Sequence, residues 1–67
     1  QAKALLDAVE KLPADQREAF LLQAEGDMSV EDIAAATGVS FETAKSRLRY
    51  ARNKLKELLA DFAEAAP

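Results

Sequence analysis

The 67-residue sequence predicts an all-α fold: four helices, the last two forming a helix-turn-helix, with the fourth much longer than the others. Three observations carry this. Apolar residues recur at helical spacing and never in strand-like alternation. Two consecutive helix starts, at Ser29 and Ser40, are separated by a single helix-stopping glycine, Gly38. About half of the residues are apolar and 31% are charged, with only two Gly and two Pro, which is the composition of a compact helical domain.

The first helix lies in AKALLDAVEKL, where Leu5, Val9 and Leu12 form a stripe at i, i+4 and i+7. Pro13 ends it, because proline lacks an amide hydrogen and pushes the preceding residue out of the helical region. The second helix is expected over 14–24, with the apolar block Ala19–Leu22, and Gly26-Asp27 breaks the pattern. In MSVEDIAAATG both ends of the third helix are written. Ser29 is the N-cap and Asp32 the reciprocal partner of a capping box. Met28 and Ile33 have staple spacing, and Gly38 supplies a left-handed C-terminal residue. Ser40 then caps the fourth helix, with Val39 and Ala44 as its staple. A link of three residues, Thr37-Gly38-Val39, sets two helices at a steep angle. The fourth helix is expected from Phe41 to Phe62, followed by a frayed AEAAP tail.

On a wheel of about 100° per residue, Ala44, Leu48, Ala51, Leu55, Leu58, Leu59 and Phe62 fall in one stripe about 100° wide, the width of a core-packed helix. The far side of that helix is different. Lys45, Arg49 and Lys56 lie near 100–140°, Ser46 and Asn53 near 180–200° and Tyr50 near 240°, all approximate. Arg47 borders the apolar stripe, where it meets either an acid of an earlier helix or an external partner. Ser29 and Ser40 are read as caps, and Leu48 and Leu55 as core.

Charge is concentrated on the same segment. Residues 1–44 carry three basic and nine acidic side chains, a net −6. Residues 45–56 carry six basic and no acidic ones, and residues 57–67 add three acids, giving a total of −3. Such asymmetry says more than the total, because over a Debye length of about 8–10 Å local charge decides what binds. An α-helix fits the major groove of B-DNA, and the second helix of a helix-turn-helix is the one that enters it. Its first turns offer Glu42, Thr43, Lys45, Ser46 and Arg49 to base edges. Arg52 and Asn53, further along, are candidate DNA contacts too, the cations there neutralising phosphates.

No catalytic, cofactor or metal site is expected. The sequence has no His and no Cys, which removes the commonest general base, the commonest metal ligands and any disulfide. The adjacent Glu31 and Asp32 lack the further partners of a carboxylate enzyme. No apolar run approaches the ~20 residues of a membrane span, so no membrane partner is expected.

The segments LPADQREAF, GDMSVEDIAAATGVS and TAKSRLRYAR together resemble region 4 of bacterial sigma-70 family factors, most closely the extracytoplasmic-function (ECF) group. The similarity runs from Leu5 to about Leu59. It implies a tri-helical, winged-helix-like DNA-binding class of fold. It also implies a single domain over 1–67 that is a fragment of a longer sigma factor, as the lack of an initiating Met also leads one to expect. The implied function is recognition of the −35 promoter element in double-stranded DNA while the factor directs core RNA polymerase to initiate transcription in the bacterial cytoplasm. The implied protein partners are the flap of the polymerase β subunit and an anti-sigma factor, with the isolated domain a monomer. By position, the family's DNA contacts fall on Thr43, Lys45, Ser46, Arg49 and Tyr50, and on Val30 and Glu31 at the start of the preceding helix. This sequence departs from the family pattern at Phe41-Glu42, where many members have a small residue and Gly. It departs again at Gln23, where some carry Arg, and at Val30, often Tyr. Two rival readings stay open: a response-regulator output domain that binds DNA as a dimer, and an interaction module whose basic helix binds an acidic protein.

Overall fold

The computed structural model describes the backbone of residues 2–65 and the side chains of residues 3–60. Four helices follow one another: α1 (Ala2–Glu10), α2 (Ala14–Ala24), α3 (Val30–Thr37) and α4 (Phe41–Ala65). α4 is the spine, and each of the other three packs against it, with α2 also meeting α3.

The local signals act as their chemistry predicts. In α3 the Ser29 hydroxyl accepts from the Asp32 amide at 3.1 Å, and Asp32 accepts from the Ser29 amide at 3.4 Å, closing the capping box. At the other end Gly38 adopts φ 72°, and its amide and that of Val39 both turn back to the Ala34 carbonyl. That left-handed residue stops α3 and redirects the chain at once, because without a Cβ it pays no steric penalty. Ser40 Oγ then accepts from the Thr43 amide at 3.1 Å and starts α4.

The α2–α3 turn has a different constraint. A Cβ on Gly26 would lie 2.7 Å from the Leu22 carbonyl oxygen, so close approach of backbone, rather than an unusual dihedral, requires glycine there. The next residue, Asp27, takes φ 53°, a left-handed conformation that short polar side chains tolerate. α1 ends without a glycine. Its last turn tightens through i→i+3 bonds from Lys11 and Leu12 to the Ala8 and Val9 carbonyls. Arg17 of α2 donates to the Glu10 carbonyl at 3.2 Å, so a side chain from the next helix satisfies an orphan acceptor.

The core forms two clusters strung along α4. Ala19, Ile33, Ala34, Ala44 and Leu48 pack beneath the helix-turn-helix, edged by Leu22, Met28, Val30 and Val39. Ala8, Val9, Leu12, Ala51 and Leu55 pack beneath α1, edged by Phe20, Leu21, Leu58 and Leu59. Half of these ten buried residues are alanines, so helix backbones approach closely and shape carries much of the specificity.

Three expectations need correction or limits. Leu5 is not core: it is 41% exposed, and the buried residues here are Ala8 and Val9 of α1 and Leu12 just after it. α1 touches α4 through its C-terminal half, so a residue one turn earlier overhangs the cluster. α4 continues to Ala65, three residues beyond the expected end, since Ala63, Glu64 and Ala65 are good helix formers with no breaker among them. Phe62, placed on the apolar stripe, lies outside the described side chains.

Candidate nucleic-acid interface

The left-handed turn at Gly38 leads within two residues into α4. Its first turn carries Phe41, Glu42 and Thr43, all exposed. Thr43 Oγ1 accepts a 3.0 Å hydrogen bond from Ser40 Oγ, which fixes the threonine rotamer and leaves its own proton free to donate outward. Lys45 and Arg49 are exposed and Ser46 is half-buried. Ser46 lines an open groove between α2 and α4 with Asp15, Gln16, Glu42, Thr43, Arg47 and Tyr50. Tyr50 is 53% exposed, and the Arg49 guanidinium carbon sits 5.6 Å from its ring centroid, over the ring.

The six cations of residues 45–56 do not form one uniform patch. Arg47 turns inward, its Nε 3.7 Å from Asp15 Oδ2 at the start of α2. This resolves the alternatives left open for it: an acid of an earlier helix is its partner. Arg52 donates from Nη2 to Oε1 of Gln23 on α2. It also borders an apolar groove formed by Leu5, Leu55, Lys56, Leu59 and Ala60. Lys54 lies 4.0 Å from Glu57 one turn on. Among the described residues Lys45 and Arg49 have no carboxylate partner, so they keep their full charge toward solvent.

The candidate residues therefore sort by place. Thr43, Lys45, Ser46, Arg49 and Tyr50 occupy the outward side of the first turns of α4. Asn53 is exposed one turn beyond, in a shallow groove with Pro13, Gln16, Tyr50, Lys54 and Glu57. Arg52 stands off to the α1 side. Val30 packs against the helix-turn-helix cluster, with Glu31 exposed beside it. Sequence reasoning missed Asp15 and Gln23, the side chains on α2 that hold two of the arginines. Helical periodicity ranks residues within a helix and carries no signal for such cross-helix pairs.

What this arrangement presents is an exposed helix face, cationic and rich in hydrogen-bonding groups, on a domain that is acidic elsewhere. A family model described as "Sigma-70, region 4" matches residues 2–55. The chain belongs to the sigma-70 region 4 family. A curated relative, the ECF RNA polymerase sigma factor EcfG of Rhodopseudomonas palustris (strain TIE-1), is 50% identical over 52 residues. These make up 78% of this chain and 29% of that protein. The region 4 domain is thus of the ECF type, and it spans well under half the length of the relative it matches. No solved structure matches the chain. Among the described residues of this region 4 domain, no helix is long and apolar enough to cross a membrane.

Proposed function

We propose that this domain reads the −35 element of promoter DNA, as the C-terminal recognition unit of a longer ECF sigma factor that directs RNA polymerase to its start sites. The observation that carries this reading is the outward face of α4. A helix-turn-helix of the sigma-70 region 4 family presents its second helix, N-terminus first, with Thr43, Lys45, Ser46, Arg49 and Tyr50 on one exposed surface. Arg and Lys donate to the guanine edge, while Ser and Thr serve several bases. Val30 and Glu31, at the capped start of α3, are assigned to the flanking backbone. Asn53 is assigned there too, and Arg52, tied to Gln23, to its margin.

The protein partners that follow from this reading are the β-subunit flap of core polymerase and an anti-sigma factor. The test is an NMR titration of residues 1–67 with a duplex carrying a −35 element and with a scrambled duplex. Shift changes should concentrate on residues 43–53 and be larger for the promoter duplex. Silence of this face with both duplexes would sink the DNA reading and favour an acidic protein as partner.

Affinity should be modest. A single reading head with few unpaired cations, on an otherwise acidic domain, falls well short of the ~10⁻⁸–10⁻¹¹ M of typical specific binders. Attachment to polymerase makes the contact intramolecular, at an effective concentration that reaches about the millimolar range for a short linker. Nanomolar specific binding by the isolated domain, measured by fluorescence anisotropy at physiological salt, would contradict this and favour an autonomous dimeric regulator.

A further inference from the structure

We propose that Tyr50 is a positioning residue that aims Arg49 at the edge of a guanine in the major groove; this rests on the DNA-binding reading above. Arg49 and Tyr50 are sequence neighbours, so their Cα–Cβ bonds diverge by about 100° around α4. With the buried Ala44 at zero, Arg49 leaves near 140° and Tyr50 near 240°, so the two straddle the direction opposite the core. The guanidinium nevertheless lies over the ring, 5.6 Å from its centroid. The two side chains therefore converge over the part of the exposed face between them, the sector to which the ideal wheel also assigns Ser46 and Asn53.

The contrast with the neighbouring arginines gives this contact its meaning. Arg47 is tied to a carboxylate, Asp15, and Arg52 to an amide oxygen, Gln23. Gln23 takes an N–H donor of Arg52, and Asp15 draws the Arg47 guanidinium inward as an ion pair, away from the exposed face. An aromatic face attracts the cation through its quadrupole and consumes no donor. Arg49 is thereby fixed in direction while its five donors stay available, and bidentate capture of guanine O6 and N7 needs two of them in a fixed fork. Ordering the side chain before binding removes an entropic cost that a free arginine would pay on contact.

The ring itself has a seat. Tyr50 lines two grooves along the α2–α4 junction, and Gln16 of α2 lines both with it. Pro13, the residue that precedes α2, lines the second of them. The platform is thus referred to α2, outside the recognition helix. The phenolic hydroxyl is not needed for a cation–ring contact, and phenylalanine should serve equally well.

The experiment is a selection from a duplex library with a randomised window, sequencing the bound fraction for the 1–67 chain and for Tyr50→Phe, Tyr50→Leu and Arg49→Ala. The parent should show a marked guanine preference at one position, and Arg49→Ala should abolish it. Tyr50→Leu should reduce that preference about two- to five-fold, the size of an exposed cation–π contact, while preferences elsewhere and the salt dependence stay put. Tyr50→Phe should keep it. Retention of the guanine preference in Tyr50→Leu, or loss in Tyr50→Phe equal to that in Tyr50→Leu, overturns the proposal and leaves DNA reading intact. An unchanged profile for Arg49→Ala does the same. Failure of the parent chain to enrich any sequence overturns the DNA reading itself, and the proposal with it. Tyr50 is exposed, and circular dichroism of each variant confirms that the fold is retained.

Discussion

The two core clusters sit side by side on one helix, yet they are specified in different ways. The cluster beneath the helix-turn-helix is bounded by local devices: a complete capping box at Ser29 and Asp32, a left-handed Gly38 and a second serine cap at Ser40. The cluster beneath α1 has none of these. α1 has no acidic residue in its first turn, and its two adjacent leucines, Leu5 and Leu6, are 41% and 61% exposed. Its end is held by Arg17, a side chain from the next helix. One half of the domain is thus fixed by its own sequence as well as by burial, and the other almost wholly by what it packs against. The proposed recognition surface stands on the first half. This is where orientation matters, because base readout depends on where a few side chains point.

Substitutions test this contrast, and the largest effect is expected in the core. Leu48, fully buried beneath the helix-turn-helix, should cost roughly 2–5 kcal/mol on truncation to alanine. Leu5→Ala at the α1 end should change stability by about 0.5 kcal/mol or less, as surface changes do. Urea denaturation decides, and equal losses would mean that α1 is as firmly seated as α3.

Next comes the turn. A Cβ at Gly38 would meet nothing within 4 Å, so Gly38→Ala pays only for the left-handed backbone, about 1–2 kcal/mol. Because that conformation aims α4, DNA binding should fall even at temperatures where the variant is fully folded. Normal binding by the folded variant would show that the turn angle is set by the cluster alone.

The N-cap is smaller again. Ser29→Ala should cost ~0.5–2 kcal/mol and should accelerate amide exchange in the first turn of α3 more than anywhere in α1. Uniform acceleration throughout the chain would erase the distinction between the two halves.

The smallest effect belongs to the ion pair that joins α2 to α4. Arg47 and Asp15 are both partly exposed, so a double-mutant cycle should return only ~0.2–1 kcal/mol of coupling, fading as salt rises. A larger, salt-independent coupling would make α2 a strut for the recognition helix, on a par with the caps.

The same division explains what could be read beforehand. Ser29, Asp32, Gly38 and Ser40 act on groups within a few residues of themselves, so their roles are visible in the sequence. Ala44, Leu48, Ala51 and Leu55 were legible because a long helix repeats its pattern often enough to define a face. Leu5 was not. In a helix of two and a half turns, several stripes fit the same leucines, and the docking position of α1 chooses among them. For the candidate site, periodicity identified the exposed face of α4 but not how its charges are shared out. Whether Arg47 turns to Asp15, or Arg52 to Gln23, depends on where α2 lies across the groove, which only the assembled tertiary structure determines.

One feature of the architecture bears on how such a domain takes instruction. α4 is a single uninterrupted rod of 25 residues, ~37 Å long at 1.5 Å per residue, in a molecule whose longest dimension is 42 Å. The proposed recognition residues are at one end and the Leu55–Leu59–Ala60 groove is toward the other. A rod without a hinge is a lever. Between Leu59 and Arg49 the arm is ~15 Å, so a tilt of about 10° imposed near Leu59 sweeps Arg49 through about 2.6 Å. That is enough to carry an arginine fork from one base edge out of reach of it, with no change in the fold between.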